Sequence, residues 1–103
     1  MKNLFNTEAM RRQSLDTLRV ECLFNGVIIS DIKGMWNGYQ VTFEDLPGDA
    51  ILHDYSYGRE DYAWETMGFP WDYDDVSIHD PATLAKMLGA LRRGEDWTRF
   101  DGD

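Results

Sequence analysis

Residues 25–44 read NGVIISDIKGMWNGYQVTFE and contain two Asn-Gly pairs, 25–26 and 37–38, on either side of an apolar run. Asn-Gly supplies the two positive-φ positions of a type I′ turn, which joins neighbouring antiparallel strands. After the second pair, Tyr39, Val41 and Phe43 alternate with polar residues, as one buried face of a strand requires. The segment therefore predicts an antiparallel meander, with Gly34 marking a bulge in its central strand.

The residues before this segment fit two periods. Thr7 suits a helix N-terminus, and we predict a short helix over 7–15. Residues 18–24 place an apolar side chain at every second position, which favours a strand that pairs back through the first Asn-Gly turn. The alternative is one helix that runs on to Phe24 and ends at Gly26, because helical spacing also joins Leu15, Leu18 and Cys22. We favour the hairpin.

The segment after the meander begins with a turn at 46–49 and a predicted strand over 50–57. Residues 58–75 have no strict period, and we interpret them as a long excursion pinned by aromatic side chains. A short helix over 59–67, ended by Gly68 before Pro70, is compatible with this stretch.

The C-terminal helix has the clearest signals in the chain. Asp80 is a good N-cap, Pro81 suits the first helical position, and Gly94 follows two arginines as a C-terminal stop. Apolar residues recur between them at helical spacing, namely Leu84, Met87, Leu88 and Leu91. We predict a helix over 81–93, with Trp97 and Phe100 packing back on the core.

Together these elements predict an α+β fold. We expect an antiparallel meander of three or four strands, packed by a short N-terminal helix and an amphipathic C-terminal helix. The 103 residues fit a single domain, 1–103, and 14% aromatic content argues against disorder. Apolar runs fall short of a membrane span, so we expect a cytoplasmic protein without membrane contact.

The charge is concentrated in one part of the chain. The formal net charge is −9, and residues 44–80 hold eleven acids against the single base Arg59. The same residues hold seven aromatic side chains, whereas acidic disordered tails are poor in them. We interpret residues 44–80 as a folded acidic surface that attracts basic partners and repels nucleic acid. Solubility alone is the simpler explanation of the same charge.

Catalytic patterns are weak. The single Cys22 excludes an intrachain disulfide and fits a small core residue better than a nucleophile. The His53-Asp54 and His79-Asp80 pairs lack the spacing of known metal sites. Acids are numerous enough that some close pair is inevitable, and no phosphate-binding glycine loop or calcium loop is present. We expect no enzymatic activity, no metal and no cofactor, and a small acid–base or metal-dependent enzyme ranks third among the hypotheses.

In composition the chain resembles the acidic nucleic-acid mimics and host-takeover inhibitors of bacteriophages and mobile elements, whose targets include CRISPR effectors and restriction enzymes. The resemblance implies a non-enzymatic inhibitor that occupies a basic, nucleic-acid-binding surface of a host protein. Carboxylates then set the association rate and aromatic rings the residence time. The second hypothesis is an assembly or adaptor module that binds a subunit, or another copy of itself, through its aromatic loop.

For the inhibitor, the predicted partner-binding residues combine acids with aromatic anchors: Asp54, Tyr55, Glu60, Asp61, Tyr62, Trp64, Glu65, Trp71, Asp72, Tyr73, Asp74 and Asp75. We expect the carboxylates of Asp72, Asp74 and Asp75 to add little to stability, so that replacing them with lysine abolishes binding without unfolding the domain.

Overall fold

The computed structural model describes residues 7–35, 38–53, 63–74 and 78–100. Two helices, α1 (Thr7–Phe24) and α2 (Pro81–Arg93), pack against an antiparallel sheet. Its strands are β1 (Ile29–Met35), β2 (Gly38–Phe43), β3 (Asp49–His53), β4 (Ala63–Met67) and the two-residue β5 (Ile78–His79). They lie side by side in chain order, so the predicted α+β meander is confirmed.

The first half of the chain differs from the favoured hairpin. Helix α1 continues to Phe24, and the first Asn-Gly pair ends it instead of joining two strands. Gly26 adopts a φ of 74°, its N–H donates to the Leu23 carbonyl, and the Val27 N–H donates to the Cys22 carbonyl. This pattern is a Schellman motif, in which a left-handed residue satisfies the last carbonyls of a helix. The strand prediction for 18–24 is therefore wrong and the continuous helix is correct.

Burial explains why the helix forms. Leu15, Leu18 and Cys22 lie on one stripe of α1 and are buried, whereas Val20 and Phe24 on the same alternating set are exposed. A strand would have turned all of 18, 20, 22 and 24 to the same side. The helix also ties to the sheet, because the Trp64 indole N–H donates to the Ser14 hydroxyl at 3.0 Å.

The sheet corrects two further predictions. Its bulge falls between Ile29 and Asp31, while Gly34 pairs regularly with Tyr39. Residues 63–67 form strand β4, not part of a helix over 59–67, and Trp64 lies beside Leu52 of β3. Three stretches of these predictions lie outside the described residues: Trp36 with Asn37 of the second Asn-Gly pair, the end of the predicted strand at 54–57, and the excursion at 58–62 and 75.

The C-terminal helix is confirmed as predicted. Asp80 caps α2 by accepting a hydrogen bond from the Thr83 N–H at 2.9 Å, and Gly94 follows with a φ of 75°. Trp97 and Phe100 pack against the core, and the rings of Trp97 and Trp71 form an edge-to-face contact with their centres 5.3 Å apart. The core lies between the helices and one face of the sheet, on which Val41, Ala50, Leu52 and Trp64 are buried.

Candidate interaction surfaces

The strand order gathers acids at one end of the sheet. Strand β2 ends at Phe43, β3 begins at Asp49 and β4 ends at Met67, and the antiparallel register brings these termini together. Four side chains from the predicted acidic segment follow or flank these termini, and we call this group the acidic end: Glu44, Asp45, Asp49 and Asp72. The four acids share one end of the sheet but not one face. Asp45 reaches Arg92 of α2 on the helix side, whereas Asp49 bonds Gln40, which lies on the opposite face because it alternates with the buried Val41.

The acidic end is only partly neutralised by the described cations. Asp45 and Arg92 form an ion pair at 3.4 Å, and the Asp45 side chain stays 75% exposed. An exposed pair of this kind contributes little stabilisation and is screened by salt. Asp49 accepts a hydrogen bond from the Gln40 amide at 2.8 Å, which orients its carboxylate without cancelling the charge.

Asp72 has a structural role that sequence reasoning missed. Its carboxylate accepts from the Thr66 hydroxyl at 2.5 Å and from the Phe69 N–H at 2.9 Å. Thr66 in turn accepts from the Trp71 indole N–H at 2.9 Å. These bonds fix the 3₁₀ helix Pro70–Asp74 against β4. These contacts favour a structural role over the expectation that Asp72 adds little to stability. Asp72 reaches back to the N–H of the residue before its own 3₁₀ helix, as the third-position acid of a capping box does.

The two predicted tryptophan anchors lie in the core. Trp64 and Trp71 are both 0% exposed. Trp71 stacks on Phe69 with ring centres 4.8 Å apart and an interplanar angle of 9°. Burying large rings contributes more to the fold than leaving them at the surface, so these indoles are core residues and neither is available to a partner in this structure.

The other predicted site residues divide into two groups. Glu65 lies on β4, half-buried on the sheet face opposite the helices. Tyr73 and Asp74 lie in the 3₁₀ helix that Asp72 anchors. The remaining ones lie outside the described residues, namely Asp54, Tyr55, Glu60, Asp61, Tyr62 and Asp75.

A second surface is apolar and was not predicted. Leu23 is 79% exposed and Phe24 is 80% exposed at the end of α1, with Val20 and Ile28 also exposed nearby. An open groove of about 410 Å³ lies between this helix end and the start of β1, and we call it the apolar groove; it is lined by Arg19, Val20, Leu23, Val27, Ile28 and Ile29. Assigning 18–24 to a strand hid this surface, because a strand sends Leu23 and Phe24 to opposite faces.

The buried thiol of Cys22 is not activated as a nucleophile. Burial raises the pKa of the Cys22 thiol to about 12, with the Glu21 charge acting in the same direction. A thiol of this kind stays protonated at neutral pH and is a poor nucleophile. Within the described ranges, no three His, Cys, Asp or Glu residues group as a metal site would require.

Comparisons of the chain with protein-family models, with curated proteins and with solved structures give no match. Neither of the described helices is long and apolar enough to span a membrane.

Proposed function

We propose that this protein is a non-enzymatic inhibitor that binds a basic surface of a nucleic-acid-binding protein through its acidic end. The observation that carries the proposal is the position of Glu44, Asp45, Asp49 and Asp72 at one end of the sheet, on elements held by the core. A group of carboxylates on a folded scaffold resembles a phosphate backbone in the sign of its field, and it accelerates association with a cationic groove.

The burial of Trp64 and Trp71 changes how such a partner would be held. Without these two rings as anchors, electrostatic attraction contributes a larger share of the affinity. Binding of this kind weakens as salt rises, because the Debye length falls from about 10 Å at 0.1 M to about 3 Å at 1 M. The burial of Trp64 and Trp71 also removes them as contacts in the second hypothesis, in which the aromatic loop binds a subunit.

The test uses a variant that removes charge and keeps each hydrogen-bond acceptor. Glu44→Gln, Asp45→Asn and Asp49→Asn together neutralise three acids, and the new side chain at position 49 keeps an oxygen that can accept from the Gln40 amide. Asn also tolerates the positive φ of 60° at position 45. Asp72 is left intact because it anchors the 3₁₀ helix. The control triple Asp16→Asn, Glu21→Gln and Glu95→Gln removes the same charge elsewhere.

The full chain is immobilised and used to capture proteins from a lysate of its source organism, and captured proteins are then challenged with duplex DNA, duplex RNA and salt. We expect a nucleic-acid-binding protein that is displaced by one of the duplexes, and a loss of capture of about tenfold or more in the acidic-end triple but not in the control triple. Equal capture by both triples, or capture that neither duplex displaces, contradicts the proposal.

A further inference from the structure

Strand β1 is at the edge of the sheet. Among the described strands it pairs with β2 alone, so its other side presents backbone N–H and C=O groups for a further strand. Such edges are templates for pairing with another chain unless charges or bulges oppose it. The bulge near Ser30 occupies one end of β1, and residues 31–35 continue in regular register.

Two opposite charges are placed on this edge in a self-complementary way. Asp31 and Lys33 are both exposed, lie two residues apart and therefore point to the same face of the sheet. Across β2 they lie opposite Thr42 and Gln40, which carry no charge. If a second copy of β1 pairs antiparallel about a two-fold axis at Ile32, Asp31 of each copy lies opposite Lys33 of the other.

The outer face of β1 carries one more exposed side chain. Met35 lies on the same face as Asp31 and Lys33 and is 45% exposed. The bulge turns Ile29 to the other face, where it packs against the core. The contacts that this register fixes on the outer face are therefore the two charge pairs, which the two-fold axis makes identical.

The antiparallel arrangement also limits repulsion between two chains of net charge −9. The acidic end lies beside the start of β1, because Ile29 pairs with Phe43. Antiparallel pairing sends the starts of the two β1 strands in opposite directions, which places the two acidic ends at opposite ends of the joined sheet. Each acidic end stays clear of the interface.

From these features we propose that a second copy of this chain docks on β1, forming a two-fold dimer with a continuous sheet. The proposal is independent of the partner proposed above, because it rests on the edge of β1 with Asp31 and Lys33 and uses none of the acidic end.

The test measures molecular mass by sedimentation equilibrium over a range of protein concentrations. Lys33→Glu and Asp31→Lys each place like charges opposite one another, and we expect each to weaken dimerisation roughly tenfold or more. The two variants move the net charge in opposite directions, so a general charge effect cannot weaken both. The double variant Asp31→Lys/Lys33→Asp exchanges the pair and should restore the dimer.

A wild-type chain that is monomeric throughout the concentration range overturns the proposal. A dimerisation constant that neither single charge reversal changes overturns it as well. If Leu23→Glu alone dissociates such a dimer, the interface lies on the helix instead of the strand edge. Far-ultraviolet circular dichroism checks that each variant is folded. The acidic-end triple should dimerise like wild type, so failure of one proposal is distinguishable from failure of the other.

Discussion

At the scale of single residues, Asp72 shows how an acid that is attractive as a binding residue can be needed by the fold. It accepts hydrogen bonds from Thr66 and from the Phe69 N–H beside the buried Trp71. Replacing it with Ala leaves these donors without their partner, and we expect a loss of about 2 kcal/mol in the free energy of unfolding. Asp72→Asn keeps an acceptor and should lose less. Urea unfolding measures both, and a cost for Asp72→Ala no larger than for Glu44→Ala at the exposed turn would contradict the assignment.

Asp80 gives the molecule a pH-dependent helix cap. Partial burial acts to raise the pKa of Asp80, but the hydrogen bonds from Thr83 and Ala82, with the Lys86 charge, outweigh it and lower the pKa below its ordinary value of 3.8. The stabilisation is therefore present above the unfolded-state pKa and is lost as the pH falls through the lower folded-state pKa.

We expect Asp80→Ala to cost about 1 kcal/mol at pH 7, as N-cap deletions commonly do. The cost should shrink as the pH falls below 3.8, because the wild-type carboxylate is then progressively protonated. Asp80→Asn keeps a neutral acceptor, so its advantage over Asp80→Ala should persist at both pH values. Unfolding curves at neutral and acid pH provide the check, and a cost for Asp80→Ala that does not change with pH would rule out a titrating cap.

At the scale of elements, the two helices differ in how far the sequence determines them. Helix α2 carries its N-cap, its first-turn proline, one apolar stripe and its terminal glycine, so every local signal agrees. In α1, the alternation at 18–24 fits a strand as well as a helix, and Asn-Gly serves either a hairpin or a helix end. The choice depends on which stripe the core buries, and that is a tertiary property which a short sequence window does not contain.

The turn between β2 and β3 packs against the turn after β4 through two glycines, Gly48 and Gly68. A Cβ on Gly48 would overlap the Met67 carbonyl oxygen and lie 2.9 Å from the Phe69 ring. Neither neighbour can retreat freely, since one is backbone and the other is buried, so we expect Gly48→Ala to destabilise the fold by about 1 to 3 kcal/mol.

Gly34 provides the matched control for that substitution. It lies in β1, and a Cβ there meets nothing within 4 Å. Gly34→Ala should stay within about 0.5 kcal/mol of wild type, as exposed substitutions commonly do. Thermal unfolding of the two variants separates a steric requirement from a general effect of losing glycine, and equal destabilisation by both would argue against the close approach at Gly48.

At the scale of the whole molecule, the sequence indicates that charge is concentrated but not which acids share a surface. Asp45 and Asp49 lie at the same end of the sheet because β2 and β3 are adjacent, whereas Asp80 belongs to the cap of α2. The burial of Trp64 and Trp71 was missed for a related reason: Trp and Tyr favour interfaces and cores alike, and only packing decides between them. The end of α1 forms one wall of the apolar groove, so the strand prediction for 18–24 missed the groove as well.

The arrangement of the core predicts that the chain unfolds as one unit. Leu88 of α2 is 0% exposed and shares a cluster with Leu18 of α1. Trp64 of β4 and Trp71 of the 3₁₀ helix belong to the same cluster. Leu88→Ala should cost about 2 to 5 kcal/mol, because it removes apolar contacts and leaves a cavity among all of these elements. If the elements form one domain, tryptophan fluorescence and far-ultraviolet circular dichroism should report coincident urea transitions, in the variant as in wild type. Transitions that separate in Leu88→Ala would show that the helices and the sheet unfold independently, and an unchanged midpoint would show that Leu88 is not at the centre of the core.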